Sequence, residues 1–179
     1  MRVDRALVNE KAKKIKLLLL DVDGVMTDGG IILDSSGGEI KAFNEKDGHG
    51  IKLLMRAGVE VGILSGRESP VVTRRAEELG ISLVKQRSLN KAGTFREILE
   101  ERSLKEEEVA YIGDDLTDLP VLRKAGLSAA VADAVEEVKK EVDYITTQPG
   151  GKGAVRELIE LLLKSQDKWD MVTQRYYQD

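Results

Sequence analysis

Leu17–Leu20 is an unbroken apolar block that ends at Asp21, Val22, Asp23 and Gly24. A short apolar run bounded by polar residues reads as a strand buried on both faces. Side chains alternate along such a segment, so Asp21 and Asp23 point the same way while Val22 faces the core. Further strand-like blocks are Val59–Leu64, Ile81–Val84, Val109–Ile112, Leu127–Val131 and Tyr144–Ile145. Between them lie segments with helical spacing: Asp47–Ala57, Ser69–Leu79, Lys91–Glu101, Leu116–Ala125, Val135–Glu141 and Gly153–Lys164. Gly58 is placed to end the first of these helices and Pro70 sits in the first turn of the second. Strictly alternating strands and helices predict an α/β fold, a parallel sheet with helices on both faces. The stretch Gly29–Asn44 breaks the alternation. Ile31–Leu33 and Ile40–Phe43 flank the turn-rich Ser35–Gly38, which predicts an inserted β-hairpin.

Composition narrows the chemistry. The 179 residues fit one domain, 1–179, with 41% hydrophobic and 34% charged residues and a net charge of -4. There is no basic stripe beyond the first helix and only 4% aromatics, which argues against nucleic acid. Cysteine is absent, which excludes thiolate catalysis and a cysteine metal centre, and the single histidine, His49, argues against a histidine-rich metal centre or a Ser-His-Asp triad. Apolar stretches such as Leu17–Leu20 and Leu161–Leu163 fall far short of the roughly 18 residues a membrane span needs. The N-terminal segment lacks an apolar core and a small-residue cleavage site, so a cytoplasmic location is expected. The tail Ser165–Asp179 mixes Trp169, Met171, Tyr176 and Tyr177 with charges. It is either a frayed end or a segment that docks on another subunit or over a site.

Four polar clusters fall at or just beyond strand ends: Asp21–Gly24, Ser65–Arg67, Asn90-Lys91 and Gly113–Asp115. In an open parallel sheet these ends share one edge, where ligands bind. Any one cluster could be a capped turn or a solvated loop, but four in succession point to a site. Asp21, Asp23 and Asp114 offer the oxygen ligands Mg²⁺ takes. Ser65 and the N–H groups after it can hold phosphate oxygens, and Lys91 can neutralise repulsion between a carboxylate nucleophile and a phosphate dianion. Phosphate monoester hydrolysis is slow enough to need catalysis of up to ~10²¹-fold, and such dense charge suits it.

DVDGV, LSGR, the lone lysine and GDDLTD resemble the motifs of the haloacid dehalogenase superfamily of aspartyl-phosphate phosphatases. The stretches Asp21–Gly29, Lys41–Gly50, Gly66–Ser69, Asn90-Lys91, Ala110–Asp118 and Gly150–Glu157 are more closely similar to its 3-deoxy-D-manno-octulosonate (Kdo) 8-phosphate phosphatase family, which serves lipopolysaccharide synthesis. The resemblance covers nearly the whole chain and implies a Rossmann-like fold without a cap domain beyond the hairpin. It implies Asp21 as nucleophile and Asp23 as acid/base, the latter reaching Mg²⁺ through its backbone carbonyl. Asp114 would bind the metal directly; Asp115 and Asp118 would orient ligands, with helix capping the plainer role for both. Ser65 and Lys91 would complete the catalytic set. Substrate would be held by Asp23, Asn44, Glu45, Lys46, Asp47, Gly48, Lys52, Gly66, Arg67, Arg75 and Lys91. Lys52 departs from the family's arginine, which weakens bidentate carboxylate binding there, and Arg75 could instead face solvent. His49 receives no role. Gly150–Gly153 is either a tight turn or a mobile lip.

The family's subunits assemble as homotetramers in which hairpins cover neighbouring sites. Ile31, Ile32, Leu33 and Phe43 are too apolar for a lone solvent-facing hairpin, although packing on its own domain would also serve. The substrate class is a small sugar-acid phosphate. A nine-carbon ulosonate 9-phosphate is the alternative substrate, since one carbon is worth only a few kcal/mol of discrimination. A catalytically quiet domain is disfavoured by the full set Asp21, Asp23, Lys91 and Asp114. A phospho-receiver domain shares the residue types, but its order differs: here the acidic doublet follows the lysine.

Overall fold

Burying four consecutive leucines from both sides requires a strand in the middle of a sheet, and β1 (Leu17–Leu20) lies there with every residue buried. The computed structural model describes residues 5–178. The first four residues of the N-terminal segment and Asp179 of the tail lie outside them.

The remaining strands are β2 (Ile32–Leu33), β3 (Glu39–Ile40), β4 (Glu60–Leu64), β5 (Leu83–Lys85), β6 (Val109–Gly113), β7 (Leu127–Ala130) and β8 (Tyr144–Ile145). Six form one sheet in the order β5-β4-β1-β6-β7-β8, parallel throughout. The helices are α1 (Arg5–Ala12), α2 (Glu45–Arg56), α3 (Pro70–Leu79), α4 (Lys91–Arg102), α5 (Leu119–Leu122), α6 (Glu136–Lys139), α7 (Ala154–Ser165) and α8 (Trp169–Thr173). Helices α1 and α2 pack on α7 and α3 on α2, while α4 packs on α5. The all-buried β1, β6 and β7 show that both faces are covered. From β1 the chain runs out to β5 and returns to β6 on the other side. The carboxyl end of β1 is therefore the point where strand order reverses, and a crevice forms there.

The predicted α/β fold and its alternation hold, with local corrections. The Leu116–Ala125 helix is a 3₁₀ turn over Leu116–Asp118 followed by the short α5. Pro120 lacks the N–H that a continuous helix would need. The hairpin forms, but its pairing is confined to Ile32↔Ile40 and Leu33↔Glu39, so residues 41–43 are not strand. Its turn is tied by Asp34, whose Oδ1 accepts from Ser36 N, Ser36 Oγ and Gly38 N. Over its described residues the tail packs against its own domain, with Met171 and Tyr177 left exposed. Val172 is buried, and Trp169 lies under the Arg156 guanidinium and the Lys164 ammonium, at 5.5 and 4.9 Å. The Tyr176 hydroxyl accepts from Arg56 Nη1 at 2.9 Å and meets His49 Nε2 at 3.0 Å. His49, given no role above, is a partner for this docked tail.

Candidate active site

The DxDG turn is built by close approach. Thr27 Oγ1 accepts from the N–H of Gly24 and Gly29. Gly24 has φ +88°, and a Cβ there would lie 2.0 Å from Asp114 Oδ2; only glycine lets the Asp21–Gly24 and Gly113–Asp115 clusters meet. Behind the turn, a Cβ on Gly150 would lie 1.8 Å from Gly24 O, and Gly151 N donates to Val25 O at 2.9 Å. Gly150–Gly153 is thus a packed turn bracing the catalytic loop rather than a mobile lip.

At the crevice, a cleft of about 300 Å³ is lined by Asp21, Asp23, Ser65, Gly66, Arg67, Ser88, Leu89, Lys91, Asp114, Asp115 and Thr117. Lys91, at the start of α4 and only 5% exposed, bridges Asp21 Oδ1 at 3.0 Å and Asp118 Oδ1 at 2.6 Å. Ser65 is buried, its Oγ accepting from Arg67 N at 3.3 Å. Asp21, Asp114 and Asp118 place carboxylate oxygens within 4.8 Å of one another. Burial, then the Asp118 charge, pushes the Asp21 carboxyl up to about 6. Burial and the charges of Asp21, Asp118 and Asp115 push Asp114 up to about 7. Burial disfavours the Lys91 ammonium, but Asp21 and Asp118 outweigh it and hold its pKa above the ordinary value. Three carboxylates against one ammonium leave negative charge that a hard cation satisfies.

Within that trio the roles differ. Asp118 is fully buried, and both its oxygens are already engaged. Oδ1 accepts from Lys91 Nζ and the Tyr111 hydroxyl; Oδ2 accepts from the N–H groups of Asp114 and Asp115. The Asp114 carboxylate accepts no hydrogen bond among the described residues. Asp21 and Asp114 therefore keep carboxylate oxygens open to the cleft, where they could hold a cation, while Asp118 anchors Lys91 and the Asp114–Asp115 backbone. Its capping role and its orienting role turn out to be the same act. The Asp23 side chain is not in this trio. It pairs instead with Lys41 Nζ and, at 3.5 Å, with Arg67 Nε.

Several expected substrate contacts do not line the cleft of their own chain. Asn44 Oδ1 caps α2 through the N–H of Lys46 and Asp47. Asp47 is buried and accepts from Arg156 N at 2.7 Å, tying α2 to α7. Gly48 packs against the Arg75 guanidinium, which also lies 5.6 Å over the Phe43 ring. Glu45, Lys46 and Lys52 are exposed, and Lys52 sits in a separate depression with Met55 and Glu78. Asn44 and Asp47 are thus engaged in capping and in tying α2 to α7, whereas Glu45, Lys46 and Lys52 face solvent. Conversely, Ser88 and Leu89 line the cleft without a sequence signal, while Thr117 and Lys41 carried one only as members of the Ala110–Asp118 and Lys41–Gly50 stretches.

Residues 83–158 match the model of a haloacid dehalogenase-like hydrolase family. The chain is 48% identical over 160 residues to the 3-deoxy-D-manno-octulosonate 8-phosphate phosphatase KdsC of Escherichia coli strain K12, covering 89% of this chain and 85% of that one. Among solved structures, a probable YrbI-family phosphatase from Pseudomonas syringae superposes with a TM-score of 0.96 at 43% identity, over 97% of this chain and 99% of the other. The 3-deoxy-D-manno-octulosonate 8-phosphate phosphatase of Moraxella catarrhalis, solved with magnesium, phosphate and KDO, gives 0.93 at 43% identity, over 94% and 97%. The chain belongs to the 3-deoxy-D-manno-octulosonate 8-phosphate phosphatase family of haloacid dehalogenase-like hydrolases.

Proposed function

We propose that this phosphatase hydrolyses Kdo 8-phosphate to Kdo and inorganic phosphate through a phosphorylated Asp21, supplying the sugar acid for lipopolysaccharide. The observation that carries the mechanism is Asp21 held 3.0 Å from Lys91, which is itself pinned by the buried Asp118. An Asp21 carboxylate oxygen attacks phosphorus, and the bond from phosphorus to the sugar oxygen breaks. That oxygen takes the electron pair and a proton from the Asp23 carboxyl group. Asp23, now a carboxylate, accepts a proton from water as the water oxygen attacks phosphorus; the acyl-phosphate bond breaks and Asp21 is regenerated. Lys91 offsets negative charge on Asp21 and the phosphoryl group. Ser65, the N–H groups around Gly66, and Arg67 hold phosphate oxygens and the sugar acid. Asp21, Asp114 and the Asp23 backbone would hold Mg²⁺, which when bound would supply positive charge against the phosphoryl oxygens.

The substrate assignment is supported by the names of relatives of whose length this chain covers 85% to 87%. It is tested by Mg²⁺-dependent phosphate release from Kdo 8-phosphate, nine-carbon ulosonate 9-phosphates and simple sugar phosphates. We expect the eight-carbon compound to lead; absence of activity on every ulosonate phosphate overturns the assignment. The reading extends to a homotetramer of single-unit subunits, supported by the hairpin's Ile31, Ile32, Leu33 and Ile40, each more than half exposed. It also places the enzyme in the cytoplasm.

A further inference from the structure

The hairpin carries charge as well as apolar surface. Glu39 on β3 and Lys41 just beyond it close a ring of four charges with Asp23 and Arg67. Lys41 Nζ donates to Asp23 Oδ1 and lies 3.2 Å from Glu39 Oε1. Glu39 Oε1 accepts from Arg67 Nη2 at 3.2 Å, and Arg67 Nε lies 3.5 Å from Asp23 Oδ2. The two cations are not equivalent. The Lys41 side chain is 1% exposed, whereas that of Arg67 is 48% exposed. A lysine so enclosed stays with its carboxylate partners, because moving it away leaves buried charge unpaired. Arg67, lying on the cleft wall, is free to turn toward an arriving anion.

We propose that Lys41 is a positioning residue for Asp23: it fixes that carboxyl group in the cleft while Arg67 leaves the ring for the substrate. This rests on the reading of Asp23 as acid/base. It also makes the hairpin part of the catalytic apparatus within one chain, quite apart from what its apolar tip covers. The consequence depends on the leaving group. A sugar oxygen departing as an alkoxide needs the proton that Asp23 delivers, whereas nitrophenolate departs without one. A loosened Asp23 therefore slows phosphoryl transfer from the first kind of substrate and spares the second.

The test compares wild type, Lys41→Met, Lys41→Arg and Glu39→Gln by rapid-quench measurement of the first turnover, with Kdo 8-phosphate and with p-nitrophenyl phosphate. For Lys41→Met we expect the first-turnover rate on the sugar phosphate to fall about 10- to 100-fold, a part of what a general acid contributes. KM should stay within about twofold and the nitrophenolate burst within about threefold of wild type, as expected when only a transition-state interaction is lost. Lys41→Arg should recover most of the lost rate. Equal falls on both substrates, a change confined to KM, or no change would each overturn the proposal. If Lys41→Met does not fold, Glu39→Gln carries the test, with the same split between substrates at a smaller size. Wild-type protein inactive on both substrates would overturn the functional reading and this proposal together; an active wild type with an unsplit Lys41→Met overturns the proposal alone.

Discussion

The carboxylate cluster and the hairpin are neighbours in sequence and opposites in construction. The cluster stands on β1 and β6, strands buried along their whole length, and its key groups Asp21, Lys91 and Asp118 are themselves buried. The hairpin has two-residue strands, with Leu33 65% and Ile40 54% exposed. At its base it is attached to the site through the charge ring. The difference separates chemistry from enclosure. A single chain gathers the buried carboxylates and their lysine, while the two-stranded ribbon, marginal by itself, leaves its apolar side chains exposed.

The largest effect should come from breaking the cluster at its centre. Asp21→Asn is expected to lower phosphate release at least about 10⁴-fold, the scale seen when a nucleophile is removed. Thermal melting should be unchanged or raised, because a repelled buried carboxylate has gone. Next comes Lys91→Met. It leaves Asp118 as a buried charge without its ammonium partner, so besides losing activity it should cost about 3–5 kcal/mol of stability in a denaturant titration. A stability loss below about 1 kcal/mol would contradict the pinning role given to this pair.

The hairpin should respond differently. Ile32→Asp combined with Leu33→Asp removes apolar surface that is already exposed in one chain. Native mass measurement should show the assembly dissociating, with KM raised about tenfold and the subunit melting point little changed. An intact tetramer with unaltered KM would mean that the hairpin covers nothing.

A smaller effect follows from protonation. Without metal, Asp21 and Asp114 keep protons up to about 6 and about 7, against 3.8 for an ordinary aspartate. The folded state then binds more protons than the unfolded state between those values. Its stability is present below about pH 4 and is lost as pH rises through 6 to 7. Mg²⁺ competes with these protons and fills the charge deficit left at higher pH. The melting-point rise on adding Mg²⁺ should therefore be larger at about pH 8 than at about pH 5.5, and an equal rise at both would count against the cluster as the metal site. Smallest of all, Tyr176→Phe removes the tail's bonds to His49 and Arg56. It should cost about 1 kcal/mol or less and leave turnover untouched, which separates the docked tail from the cleft.

What could be read from sequence was whatever is written locally. Four leucines before DxDG specify a central strand and its chemically loaded end without reference to anything else. The clusters at Ser65, Lys91 and Asp114 followed because a parallel sheet gathers such ends at one edge. What escaped depended on contacts between distant segments. Asp118 becomes a fully buried anchor only because Tyr111 and Lys91 arrive from β6 and α4. Asn44, Asp47 and Arg75 carry groups equally suited to a ligand, a cap or a packing contact, and only the placement of α7 and Phe43 decides among these. Lys41 reads as a surface lysine until the hairpin folds it onto Asp23.

The most direct test of the account is to quench a turnover with acid, reduce any acyl phosphate with borohydride and locate the product by mass spectrometry. Reduction converts a phosphorylated aspartate to homoserine. The account predicts that conversion at Asp21 alone, dependent on both substrate and Mg²⁺. Homoserine at Asp23 or Asp114, or active turnover with no trapped aspartate at all, would contradict it.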